Sequence, residues 1–326
     1  MSSRDAILRL QEQMEISIKG QQALIRQMLI GLLANGHLLL ESLPGLAKTR
    51  AVKALATNLD ANMRRIQFTP DLLPADITGS DMLYQENGVN RFRFEAGPIF
   101  GNLILADEIN RAPAKVQAAL LEAMEERQVS VGGNTHAMPE LFMVLATQNP
   151  IEQEGTYPLP EAQMDRFLLK LRVTYPANAD ELEVLRLVRG EELAKSGSAT
   201  PNTVQAIAQS DVFAARQEIH GIYVSEAIER YIVDLLTASR AAHSKNADLA
   251  KWITVGASPR GGIALDRSAR AHAWLEGRDH VTPDDIRAVA LPALRHRLVL
   301  SYDAYADGLD ADAVVNKLVQ SVAVPA

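Results

Sequence analysis

The chain has 326 residues, 47% of them hydrophobic and 22% charged, with a formal net charge of −7 and no cysteine. That length supports two domains and a sizeable core. The composition excludes disulfides, thiolate metal sites and a cysteine nucleophile, and the net acidity gives no general nucleic-acid footprint.

Residues 5–16 read as an amphipathic helix. Arg4, Asp5, Arg9, Glu12 and Glu15 are spread among its apolar positions, so this start is no signal peptide. No apolar run is long enough to span a membrane. A cytoplasmic protein is the expectation. Ile18-Lys19-Gly20-Gln21 breaks the first helix, residues 22–34 form a second, and Asn35-Gly36 closes it. Buried strands are expected at 37–41, 102–106, 142–146 and 168–173, a further strand at 63–68, and a helix at 113–127. Met82 to Gln85 and Arg91 to Phe94 flank an Asn87-Gly88 turn, which predicts a hairpin. In that hairpin Phe92 and Phe94 are expected to pack on the domain, with Arg91 and Arg93 either solvated or set to meet an acidic surface of a partner protein. A second hairpin is expected at 128–137.

Strands alternating with helices argue for a three-layer α/β domain with a parallel sheet over residues 1–175. After Tyr175-Pro176 the texture changes. Residues 179–195, 201–209, 211–221, 225–243, 259–276, 283–297 and 312–322 all read helical, with Ser196-Gly197-Ser198 as a linker. An all-α domain over 176–326 is the expectation.

The stretch Glu41-Ser42-Leu43-Pro44-Gly45-Leu46-Ala47-Lys48-Thr49 joins an apolar strand to a helix. A phosphate needs converging backbone N–H groups, a positive helix N-terminus and one mobile cation. Gly45 allows the turn, Lys48 can reach the outer phosphates and the Thr49 hydroxyl can ligate Mg²⁺. The full nucleotide-binding signature asks for glycine where this chain has Ser42 and Ala47. Further on, an apolar strand ends in Asp107-Glu108. Acids at that end of a strand lie where open α/β sheets bind ligands. Asp107 suits a Mg²⁺ site, and Glu108 suits polarising a water for attack on phosphate. Asn149 follows another buried strand and is either a turn residue before Pro150 or an amide for phosphate and water. Arg166 is either a surface charge paired with Asp165 or an arginine finger for a neighbour's nucleotide. Arg260, in the first turn of a helix opened by Pro259, either faces phosphate or is solvated.

Together, Leu-Pro-Gly-Leu-Ala-Lys-Thr (43–49), Ala-Asp-Glu-Ile-Asn-Arg-Ala-Pro (106–113), Ala-Leu-Leu-Glu-Ala-Met-Glu-Glu-Arg-Gln-Val (119–129), Ala-Thr-Gln-Asn-Pro (146–150), Leu-Pro-Glu-Ala-Gln-Met-Asp-Arg-Phe (159–167) and Gly-Ala-Ser-Pro-Arg (256–260) closely resemble the MoxR family of AAA+ ATPases. The resemblance runs nearly end to end. It implies a P-loop NTPase core with a helical lid, and ATP and Mg²⁺ as ligands. It implies that Pro44, Gly45, Leu46, Ala47, Lys48 and Thr49 cradle phosphate, and that Thr49 and Asp107 serve the metal. Glu108 is then the catalytic base, Asn149 the first sensor, Arg166 the finger and Arg260 the second sensor. Ile18 and Lys19 match the segment near adenine. Ala47 is usual for the family, whereas Gly is expected at 42. The resemblance further implies a hexameric ring, a partner with a von Willebrand A domain, and chaperone-like work on protein clients, including metal insertion.

A kinase or GTPase switch is the other enzyme class, but no Asn-Lys-x-Asp string for guanine is present. A module that holds ATP with little hydrolysis is a third reading, set against Glu108, Asn149 and Arg166. A nucleic-acid motor fits the acidic charge poorly. The seven histidines show no ligand spacing.

Overall fold

A computed structural model describes residues 2–42, 48–86, 89–149, 156–193 and 205–324. Contacts divide the chain into two compact units. The first is Met1–Met28, Leu39–Leu159 and Arg172–Asp211; the second is Leu29–Leu38, Pro160–Leu171 and Val212–Ala326.

Chain order begins with α1 (Ser3–Ser17), α2 (Gln22–Leu33), β1 (Leu38–Ser42), α3 (Lys48–Asn58), β2 (Met63–Gln67), α4 (Pro74–Thr78), β3 (Gly79–Glu86) and β4 (Val89–Ala96). It continues through β5 (Leu103–Asp107), α5 (Ala114–Glu126), β6 (Gln128–Val131), β7 (Asn134–Ala137), β8 (Met143–Gln148), α6 (Glu161–Met164), β9 (Leu169–Val173) and α7 (Asn178–Leu193). The central sheet has five strands in the order β2-β5-β8-β1-β9. The β2/β5 and β5/β8 pairs are parallel. Leu38 to Leu40, Leu103 to Ala106 and Val144 to Ala146 have no exposed surface. Unbroken burial along a strand means both sheet faces are covered, as a three-layer α/β core requires. β2 lies at the edge, and there only Ile66 is buried. Its Arg64, Arg65 and Gln67 stay exposed, which leaves polar side chains beside the end of β5.

Local chemistry sets the helix ends. Ser2 and Asp5 form a reciprocal capping box at the start of α1. The two expected hairpins are present, β3 with β4 and β6 with β7. The Asn87-Gly88 turn lies outside the described residues. Leu83 is directly opposite Phe92, and Asp81 opposite Phe94, so these four share one face. Phe94 packs as expected, stacked on His136 with centroids 3.7 Å apart and edge-on to Phe100. Phe92 does not pack: it is 74% exposed. It sits two residues nearer the turn than Phe94.

The second half of the chain contains α8 (Gln209–His220), α9 (Glu226–Ala238), α10 (Ala247–Trp252), β10 (Ile253–Val255), α11 (Pro259–Leu275), α12 (Pro283–Leu294), β11 (Val299–Leu300), α13 (Tyr302–Ala306) and α14 (Ala311–Ser321). It is mostly helical, and it adds one antiparallel two-stranded ladder, β10 with β11, to the all-helical reading. Other boundaries also differ. Residues 205–208 are not helical, because the Ile207 N–H donates to Asn58 O at 2.8 Å instead of within a turn. The start of that expected helix, 201–204, lies outside the described residues, as does the 196–198 linker. The helix expected over 225–243 stops at Ala238, and the buried Ser239 hydroxyl donates to Leu236 O at 2.6 Å and accepts from Ala257 N at 3.0 Å. The short α10 is capped by Asn246, whose side chain accepts from the N–H groups of Asp248 and Leu249.

Two buried titratable groups hold the second unit together. Asp285 has no exposed side chain and accepts hydrogen bonds from Arg278, from His272 at 2.6 Å and from the backbone and hydroxyl of Thr282 at 2.8 Å. Burial pushes its carboxyl up, but the Arg278, His272 and Thr282 bonds outweigh that and hold it well below the usual carboxylate range. His296 is buried, and burial together with the adjacent Arg297 holds its ring neutral well below the usual histidine value. Both groups bind protons more readily when unfolded, so both favour the folded state at neutral pH. The thermal midpoint should therefore fall in two stages on acidification. The first begins below about pH 6.5, from His296, and the second below about pH 4, from Asp285. Each group costs about 1.4 kcal/mol per pH unit until its folded value is reached. Melts from pH 8 to about 2 check this: His296→Gln should flatten the first stage, and an unchanged slope there would rule His296 out as its source.

Candidate nucleotide site

In the first unit the site is built where β5 and β8 end. Their parallel register pairs Ala106 with Ala146, which brings Asp107 beside Thr147. Thr147 is fully buried and makes two bonds. Its hydroxyl donates to Asp107 Oδ1 at 2.7 Å and accepts from the Glu108 N–H at 2.8 Å. Glu108 is in the left-handed region, with φ 58° and ψ 50°. That conformation costs a glutamate on the order of 1–3 kcal/mol and persists only where the surroundings hold it. Thr147 holds the N–H here, and the Glu108 carbonyl accepts from Arg111 N at 2.9 Å.

Both acids carry partners from neighbouring elements. Arg65 of β2 donates to Asp107 Oδ2 at 2.7 and 3.2 Å and to Gln67 Oε1 at 2.8 Å. Gln67 in turn donates to Glu108 Oε2 at 2.9 Å, and Arg111 Nε lies 3.1 Å from the same oxygen. Asp107 thus already supports a cationic group on one oxygen while Thr147 fixes the other. Hard oxygen donors of this type fit Mg²⁺, and Thr49 is an exposed residue at the start of α3. Asn149, just past β8, is buried.

Lys48 opens α3, and its Nζ is 3.5 Å from Ser42 O at the end of β1. No acid occupies the first turn of this 11-residue helix, so its positive end is not neutralised there. Ser42 is fully buried. The loop residues Pro44, Gly45, Leu46 and Ala47 lie outside the described residues. Arg50 Nε donates to Ser17 O at 2.7 Å, which ties the start of α3 to the end of α1. Ile18 is buried there, Lys19 is half-buried, and Gln21 Nε2 donates to Thr174 O at 2.9 Å. Gly20 has φ 71°, and a Cβ would meet Asp180 at 2.6 Å, so only glycine fits this turn.

Arg166 and Arg260 belong to the second unit. Arg166 is half-buried just after α6, and Arg260 is exposed in the first turn of α11. Between them lies a network that reading the sequence did not find. Asp165 accepts from Arg297 Nε at 2.7 Å and from Ser258 Oγ at 2.7 Å. Ser258 also caps α11, accepting from Arg260 N at 3.1 Å. Arg65, Gln67 and Thr147 were missed as well. The one available cue was that β2 carries polar side chains at an edge; their partners depend on parallel register.

The class follows from this geometry: a P-loop-type sheet edge with paired acids, followed by a mostly helical unit. Residues 37–169 match the ATPase family associated with various cellular activities, and residues 247–318 match the AAA lid domain. The chain is 46% identical to chaperone MoxR1 of Mycobacterium tuberculosis, across 94% of this chain and 79% of that relative. It is 35% identical to protein MoxR of Paracoccus denitrificans, across 95% and 93%. A crystal structure from Cytophaga hutchinsonii superposes with a TM-score of 0.89 at 43% identity, covering 99% of this chain and 96% of that one. The chain belongs to the MoxR family of AAA+ ATPases.

Proposed function

We propose that this chain hydrolyses Mg-ATP to ADP and phosphate in a ring of copies and uses the cycle to remodel protein clients. The observation that carries this reading is the Asp107–Thr147–Glu108 arrangement, in which a strained backbone is held so that a carboxylate stands at the edge of a covered sheet. Such outliers cluster at functional sites. Glu108 polarises the attacking water, and Asn149 orients that water and the terminal phosphate. Lys48 and the 44–47 loop hold the phosphates, and Ile18 and Lys19 lie by the base. Thr49 and Asp107 would hold Mg²⁺, which when bound neutralises charge on the phosphates. Arg260 has the role of the second sensor, and Arg166 that of a finger for the site of a neighbouring copy.

The name chaperone MoxR1 supports the chaperone-like role. A magnesium-chelatase subunit of Arabidopsis thaliana, 28% identical over 60% of this chain, supports metal insertion as one form of that work. A hexameric ring, a von Willebrand A domain partner and a cytoplasmic setting complete the proposal. Among the described residues no helix is long and apolar enough to cross a membrane.

Assembly gives the test. If Arg166 completes a neighbour's site, ATPase activity per chain should fall on dilution. Arg166→Ala and Lys48→Ala chains, each inactive alone, should regain turnover when mixed, since one supplies the lysine and the other the finger. Full activity in a monomer, independent of concentration, would contradict the reading.

A further inference from the structure

Arg297 is a heavily committed side chain of the second unit. It is 8% exposed. A guanidinium has five N–H donors, and each has an acceptor here. Nε donates to the Asp165 carboxylate at 2.7 Å. Nη1 donates to Leu168 O at 3.1 Å and to Ala293 O. Nη2 donates to Asp165 O at 3.1 Å and to Phe167 O at 2.7 Å. Burying a cation is costly unless every donor is met and a counter-charge is close. Asp165 supplies that charge, and three carbonyls of the 165–168 turn, with one from α12, supply the rest. The stem of Arg297 comes this close because α11 has glycine at 261, where a Cβ would lie 3.2 Å from Arg297 Cδ. The second oxygen of Asp165 accepts from Ser258, the residue that caps α11.

We propose that Ser258 and Arg297, acting through Asp165, are positioning residues for Arg166. The turn that carries Arg166 is fastened on one side to the end of α12 and on the other to the start of α11. Arg166 is therefore presented to the neighbouring copy by the same helix start that carries Arg260. This rests on reading Arg166 as a finger that works in trans. The three groups fix the backbone from which the finger extends. A misplacement of about 1 Å is enough to cost on the order of 10²-fold in rate.

The mixed-chain assay isolates this role. A Lys48→Ala chain has no working site of its own, so its only contribution to a mixture is its finger. Ser258→Asp placed on that chain keeps an acceptor for the α11 cap and removes the donor to Asp165. Mixed with Arg166→Ala chains, Lys48→Ala/Ser258→Asp should give about 10–10²-fold less phosphate release than Lys48→Ala alone. Ser258→Thr in the same place should keep the rescue, because threonine both caps and donates. Thermal melts and assembly size, measured in parallel, show that each chain is folded and joins the ring. If Ser258→Asp disturbs folding, Ser258→Ala takes its place. Equal rescue from folded Ser258→Asp or Ser258→Ala chains overturns the positioning role while leaving the finger in trans intact. If the simple Lys48→Ala and Arg166→Ala mixture gives no rescue at all, the finger reading fails, and the positioning role fails with it.

Discussion

Replacing Glu108 with Gln is expected to leave ATP bound and to slow its hydrolysis by about 10²–10⁴-fold. The change preserves shape. The left-handed backbone at this position is held through its N–H by Thr147, which does not depend on the side chain. Gln67 and Arg111 can still donate to the remaining amide oxygen. What is lost is the negative charge that, on the proposed function, draws a proton from the attacking water. Nucleotide retained by the purified variant, read beside its rate of phosphate release, separates binding from chemistry. Retention with slow release is the expected pair of results.

Lys48→Ala should act one step earlier. The proposed function makes Lys48 the phosphate-binding lysine, and it stands at a helix start with no acid in its first turn. A hydrogen bond from a charged group to phosphate is worth roughly 1.5–3 kcal/mol, so its loss should weaken ATP binding by about 10–10²-fold or more. The fold should be indifferent, because the Nζ contact to Ser42 O is long at 3.5 Å. Fluorescent-nucleotide titration together with a thermal melt checks both halves. Weak binding with an unchanged melt is predicted, and tight binding would remove Lys48 from the phosphate site.

Much of this is legible in the sequence. Leu38 to Leu40 and Leu103 to Ala106 are continuous apolar runs, and continuous runs mark strands covered on both faces. Asp107-Glu108 directly after such a run marks the edge where ligands bind. The resemblance to a known family took in Asp107-Glu108 together with motifs at 43–49, 119–129, 146–150, 159–167 and 256–260. What could not be read depends on contacts between distant parts of the chain. Arg65 and Gln67 belong to an ordinary-looking edge strand, and only its parallel pairing with β5 sets them against the two acids. Arg297 stands 132 positions from Asp165 in a stretch that read as the tail of a helix, and its burial is a property of the packed unit. The β10/β11 ladder joins two runs too short to show a period. Phe92 was misplaced for a related reason. Alternation put it on the right face, but alternation does not show how far along the hairpin the packing reaches.

The central claim, hydrolysis of ATP by a base at Glu108, is tested most directly by phosphate release from Mg-ATP. The parent chain and its Glu108→Gln variant are compared at equal measured nucleotide occupancy and chain concentration. The account predicts steady turnover by the parent and at least about 10²-fold less by the variant. Equal rates from the two, or a parent that holds ATP without turning it over, would contradict it.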